Sequence, residues 1–213
     1  MKKQNFQIPK QYNFTLKEFT YSAEYGGYLD ITQDQFDIIM KLVSYLMQPI
    51  RDKVKVPVTI SSGIRNWELI LLLRQRGYPA STTSDHLIPS KVINKQEFKE
   101  LFHDDIREYK LFASKKLNIE NPFGSGACDF EVPSYNGYQM FDLFKQLKKE
   151  LWGKYNQIIF YPESKSKFIH VALKRGIVFP FNIDSRNPVC IYMNKKYYSY
   201  DSSLDKRIER LLG

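Results

Sequence analysis

Three histidines stand in the 213-residue chain, at positions 86, 103 and 170, and two of them occupy contexts that suit chemistry. His86 follows the hydroxyl-rich run STTSD, and His170 interrupts the apolar run FIHVAL. In an extended strand Phe168, His170 and Ala172 share one face while Ile169, Val171 and Leu173 share the other. The imidazole therefore points away from the more strongly apolar side, toward a cleft. Asp129 lies between Cys128 and Phe130 just after GSGA, where small residues let other groups approach closely. His170 is either a core-edge histidine satisfied by one hydrogen bond or a metal ligand. Two imidazoles and one carboxylate make a zinc donor set that leaves a fourth position for water.

The elements that must position these groups are legible in outline. Residues 1–31 read as an irregular arm. Thr32 and Gln35 then form a capping box, followed by Phe36, Ile39, Met40, Val43 and Met47 at helical spacing, with Pro49 ending or bending the helix. VPVTI at 56–60 reads as a strand, SSGIRN as a turn, and Trp67 to Arg76 as a helix closed by Gly77. Residues 87–124 are polar and charged, with a helix expected from Gln96 to Phe112, and read as an insertion. ACDFEV is a strand, and Gln139 to Trp152 an amphipathic helix stopped by Gly153. QIIFY and FIHVAL pair as a hairpin around PESKSK. PVCIYM and YYSY form a second hairpin across Asn194-Lys195-Lys196, before a charged C-terminal helix around Ser203 to Leu212. The class is α+β with an antiparallel sheet flanked by helices, one domain over 1–213 with the arm and the insertion appended.

Composition narrows the field. Lys plus Arg is 32 against 23 for Asp plus Glu, a formal charge of +9 that favours an anionic partner without choosing among them. The two cysteines, Cys128 and Cys190, lack CxxC spacing and are expected to be reduced. No apolar core of a signal peptide follows the opening lysines, and the most apolar windows fall short of the about 20 residues a bilayer span needs. A soluble protein with no membrane insertion is expected. No nucleic-acid module or concentrated basic run accompanies the charge, so nucleic-acid binding ranks lowest.

Four blocks carry a family resemblance: VPVTISSGIRN with Arg65, TTSDH with Ser84 and His86, GSGACDF with Ala127 and Asp129, and KFIHVAL with His170. In this order they resemble the zinc-dependent D-alanyl-D-alanine carboxypeptidase-like peptidases, in the compact form common in bacteriophages and bacteria. That family has a VTITSGYR-like turn, an SxHxxGxAxD motif and a WVHVS-like strand. NFTLKEFTYSA resembles the family's opening segment, and the blocks cover most of the chain outside 87–124. The resemblance implies the Hedgehog/DD-peptidase-like fold, Zn2+ held by His86, Asp129 and His170, and Arg65 recognising a substrate carboxylate. Two departures stand out. His86 and Asp129 are 43 positions apart instead of within one short motif, and Ser125 replaces the motif's glycine. An insertion is tolerable if its ends stay close, because closure entropy grows slowly with length.

The resemblance also sets the remaining roles. A zinc peptidase needs a carboxylate to move a proton from water to the leaving amine. Where the compact family has the Glu of QLIYE, this chain has QIIFY, which puts Tyr161 at that position and Glu163 two residues on. Glu163 is the expected base, with a solvated turn Glu as the alternative, and Tyr161 at most donates a hydrogen bond to substrate. Arg65 can clasp a carboxylate in bidentate fashion, or else cap the following helix as a surface arginine. Ser84 supports that carboxylate or a ligand through its hydroxyl. Asp85 reads as a loop or supporting carboxylate, and His103, beside Asp104 and Asp105, as solvated or as a replacement ligand. The implied function is hydrolysis of bacterial peptidoglycan stem peptides or crosslinks, by a phage-encoded protein in the host cytoplasm or the virion. The alternative is a catalytically silent phage structural or wall-binding protein on the same fold.

Overall fold

The computed structural model of the chain describes residues 6–78, 80, 84–88, 126–174 and 189–213. The segment expected as an irregular arm holds a short helix, α1 (Leu16–Thr20), and a hairpin of β1 (Tyr21–Ser22) with β2 (Gly27–Tyr28). Phe14, Phe19 and Leu29 are buried there. Each such side chain stabilises the fold by about 1.5–3 kcal/mol relative to its exposed state, so these short pieces dock by burial despite being too short to show a periodicity.

Helix α2 (Gln33–Leu42) starts at the expected capping box. Thr32 Oγ1 accepts from the Gln35 N–H, and Gln35 Oε1 accepts from the Thr32 N–H at 2.9 Å, which satisfies two donors that a helix start leaves bare. Of the two outcomes expected at Pro49, an end or a bend, the helix does not end there. The path widens into a π-helical stretch (Val43–Met47) and continues as α3 (Gln48–Val54), ending at Lys55 in the left-handed region. Proline lacks an N–H and its ring crowds the carbonyl one turn earlier; the wider turn just before it absorbs both demands.

Six strands form one sheet: β3 (Thr59–Ser62), β4 (Ala127–Glu131), β5 (Tyr155–Phe160), β6 (Ile169–Leu173), β7 (Val189–Met193) and β8 (Lys196–Ser199), in the order β3-β4-β6-β5-β7-β8. Both expected hairpins are present, β5–β6 and β7–β8. The antiparallel sheet needs one correction: β7 runs parallel to β5. The chain between β5 and β7 contains β6, which runs antiparallel to β5 and so makes the return that two parallel strands need. The strand expected at 56–60 lies at Thr59–Ser62, so Ser61 and Ser62 end a strand where a turn was expected.

Helices α4 (Trp67–Gln75), α5 (Gly137–Glu150) and α6 (Asp205–Leu212), the last preceded by a 3-10 turn (Ser202–Leu204), complete the described elements. Against the sheet, Phe141 and Phe144 of α5 stack on Phe160 of β5 with ring centroids 5.5 and 5.9 Å apart. Tyr200 meets Phe144 edge-on at 5.2 Å. All five residues of β6 are buried, as expected of a central strand covered on both faces. The result is an α+β fold with a mixed sheet flanked by helices, the α2–π–α3 stretch being inserted between the hairpin and the sheet. Beyond Ile88, the insertion expected at 87–124, with its helix and His103, lies outside the described residues.

Candidate metal centre

Register brings the two strand-borne ligands side by side: Asp129 of β4 is the cross-strand partner of His170 of β6. Their side chains leave the sheet on the same face, and Asp129 Oδ1 lies 2.8 Å from His170 Nδ1. His86 arrives from a loop. Its Nε2 is 3.1 Å from His170 Nδ1 and 3.3 Å from Asp129 Oδ1. Metal–ligand lengths of about 2.0–2.1 Å at tetrahedral angles put neighbouring ligand atoms about 3.3 Å apart. The three atoms thus form nearly one face of a zinc coordination tetrahedron. His86, Asp129 and His170 form a cluster that could hold a metal such as zinc, with the two histidines buried, His86 4% and His170 6% exposed, and Asp129 partly so.

The loop around His86 is tied down on three sides. The Arg65 N–H donates to the His86 carbonyl at 2.8 Å and the Ile88 N–H to the Arg65 carbonyl at 2.9 Å. Gln35 Nε2 donates to the Ile88 carbonyl at 2.5 Å. Buried Asp85 accepts from Asn156 Nδ2 at 2.9 Å through its side chain, and from the Gly126 N–H at 3.2 Å through its carbonyl. That last bond joins the two ends of the interrupted ligand motif, which is the geometry the long separation requires. Gly126 has φ +90, and a Cβ there would come within 2.7 Å of Ile38 Cγ2, so the glycine is needed both for conformation and for space.

The protonation states suit a metal. His86 Nδ1 lies 2.7 Å from the Gly63 carbonyl, which can only accept, so Nδ1 carries the proton and the Nε2 lone pair faces the cluster. Burial lowers the His86 pKa, and the Arg65 charge pushes the same way against Asp129, keeping the ring neutral as a ligand must be. Burial alone would raise the Asp129 pKa; His86 and His170 more than reverse this through charge and hydrogen bonding, leaving it well below the usual carboxylate range. On the far side of His170, the buried Nε2 has no hydrogen-bond partner, so the ring's polar contacts all lie on the cluster side. The donor set fits a metal such as zinc.

The other expected residues are placed less uniformly. A cleft of about 610 Å³ adjoins the cluster and is lined by Arg65 and Asp129 together with Tyr21, Glu24, Tyr78 and Phe168 among others. Arg65 Nη2 donates to Ser62 Oγ at 3.3 Å. Ser84 Oγ accepts from the His86 N–H at 3.3 Å, supporting the ligand loop. Tyr161 stacks on Phe168 at 4.3 Å, and its phenol is held protonated by burial, with Tyr197 and Asp129 adding to the effect. Glu163 is exposed in the β5–β6 turn, where its Oε2 accepts from the Asn194 N–H at 2.8 Å. It lies four residues beyond Ile159, the partner of His170, past the end of β5. The fold does not bring Glu163 to the three ligands or to the cleft lining.

Gln35, Gly63 and Asn156 were not anticipated at the site. Gln35 announces itself only as a capping residue, and nothing near it in the chain signals that its amide reaches across to Ile88. Compared with protein-family models, curated protein sequences and solved structures, the chain matches none. No described helix is long and apolar enough to cross a membrane.

Proposed function

We propose that the protein is a zinc-dependent peptidase of the D-alanyl-D-alanine carboxypeptidase-like type, acting on peptide bonds of bacterial peptidoglycan. The observation that carries this is the convergence of His86 Nε2, Asp129 Oδ1 and His170 Nδ1 beside a cleft that also contains Arg65. When bound, zinc would polarise the scissile carbonyl and lower the pKa of water. His86, Asp129 and His170 would hold it, Gly63 fixing the His86 tautomer. Arg65, whose guanidinium touches only the Ser62 hydroxyl among the described residues, would orient the substrate carboxylate. For Glu163 to move the proton, the β5–β6 turn must release its bond to Asn194. A phage-encoded protein acting on the host wall, from the cytoplasm or the virion, is the setting this proposal implies, and the +9 charge suits an acidic wall surface.

A second reading is a silent metal-binding domain, favoured by Tyr161 at the family's carboxylate position and by the engagement of Glu163 at the turn. Digestion of purified peptidoglycan by the zinc-loaded protein decides between them. Release of stem-peptide fragments by the wild type, but not by H86A or H170A, supports the peptidase. Stoichiometric zinc without any release supports the silent domain. Loss of release in E163Q with zinc retained would assign Glu163 as the base.

A further inference from the structure

The cleft beside the metal centre is lined by two opposite charges from different segments of the chain. Glu24 enters from the turn between β1 and β2, and Arg65 from the segment after β3. Among the described residues each side chain hydrogen-bonds a neighbouring hydroxyl: Ser22 Oγ donates to Glu24 Oε2 at 3.1 Å, and Arg65 Nη2 donates to Ser62 Oγ at 3.3 Å. Among the described residues neither belongs to an ion pair, so the two do not neutralise one another across the cleft. Glu24 is half-buried, and its carboxylate keeps acceptor capacity beyond the one hydroxyl.

We infer that this cleft selects a ligand bearing both a carboxylate and an ammonium group, Arg65 taking the carboxylate and Glu24 the ammonium. This rests on the peptide-binding reading of the cleft and deepens it. A chain of formal charge +9 repels cations in general, so a carboxylate lining the cleft with no ion-pair partner among the described residues is what makes an ammonium acceptable there. Tyr21, Tyr78 and Phe168 line the same cleft, which suits the apolar body of a short peptide, and a volume of about 610 Å³ accommodates one. The ammonium has two sources in peptides, a free amino terminus or a basic side chain, and the charge pair recognises the shared group.

Ligand-observed NMR on the zinc-loaded full chain tests this with two pairs of small ligands. The first is 5-aminopentanoate, which spaces its ends like the two termini of a dipeptide, against its N-acetyl derivative. The second is Nα-acetyl-lysine against Nα,Nε-diacetyl-lysine. In at least one pair the free amine binds about tenfold more tightly, the value of one charge-assisted hydrogen bond. The pair that discriminates identifies the source of the ammonium. Glu24→Gln brings that pair to parity with zinc content unchanged, and Arg65→Ala weakens both of its members. Parity of both pairs in the wild type, including no binding by any ligand, overturns the inference, as does a preference that survives Glu24→Gln. A discriminating cleft in a protein that cleaves no peptidoglycan removes the peptidase proposal and leaves the charge selection standing.

Discussion

The imidazole of His86 donates its Nδ1 proton to the carbonyl oxygen of Gly63 at 2.7 Å, and a Cβ on Gly63 would come within 2.1 Å of the Phe19 carbonyl oxygen. The carbonyl that sets the ligand's tautomer is therefore held by a backbone contact only glycine permits. Gly63→Ala must shift either α1 or the carbonyl. Partners of metal-bound histidines are worth about 10–100-fold in metal affinity. We expect G63A to lose zinc affinity by that order while all three ligands remain, as measured by competition with a chromophoric chelator.

Removing a ligand has a different signature. H86A, D129A and H170A each leave two donors of the three, and stoichiometric zinc is expected to disappear from all of them in metal analysis. Full zinc retention in both histidine variants would refute the assigned centre.

The core beneath the site gives a stability prediction. Phe144 is fully buried between Phe160 and Tyr200. Phe144→Ala should cost about 3–5 kcal/mol through lost burial and the cavity left behind, read from urea unfolding of the metal-free protein.

Alkaline pH tests the packing of α5 on β5. Burial pushes the Tyr155 phenol from 10.0 up to about 12, and its hydroxyl donates to the Lys148 carbonyl at 2.8 Å. Between these values the folded chain keeps a proton that the unfolded chain has lost, so this contribution is complete below pH 10 and falls away as pH rises toward 12. Tyr155→Phe should lower stability by about 1 kcal/mol at neutral pH for the missing hydrogen bond, yet flatten the decline above pH 10 in unfolding curves.

How much of the site was legible follows from the range of each interaction. His170 and Asp129 stood out because strand alternation is a local rule, and it put both side chains on the face where they meet. The α2 start was equally local, a capping box written in four consecutive residues. Gln35 and Asn156 were not legible, because their amides bond to Ile88 and Asp85, 53 and 71 positions away. For Glu163 the resemblance put a carboxylate two residues beyond the family's position, and no local rule shows that its Oε2 accepts from the Asn194 N–H, 31 positions away. Pro49 does not end the helix, one of the two outcomes expected there, because proline is forbidding in a regular α-helix and the backbone just before it is not regular.

The complete burial of β6 has a consequence for how errors in assembly are detected. Because successive residues of a strand face opposite sides, a slip of one position against β4 would turn His170 into the helix-covered core and present Ile169 or Val171 to Asp129 and His86. Such a chain could still be compact, but it would offer the metal two donors in place of three. Metal occupancy therefore discriminates between correctly and incorrectly registered molecules, and the ion that equips the site for chemistry would also act as its proofreader.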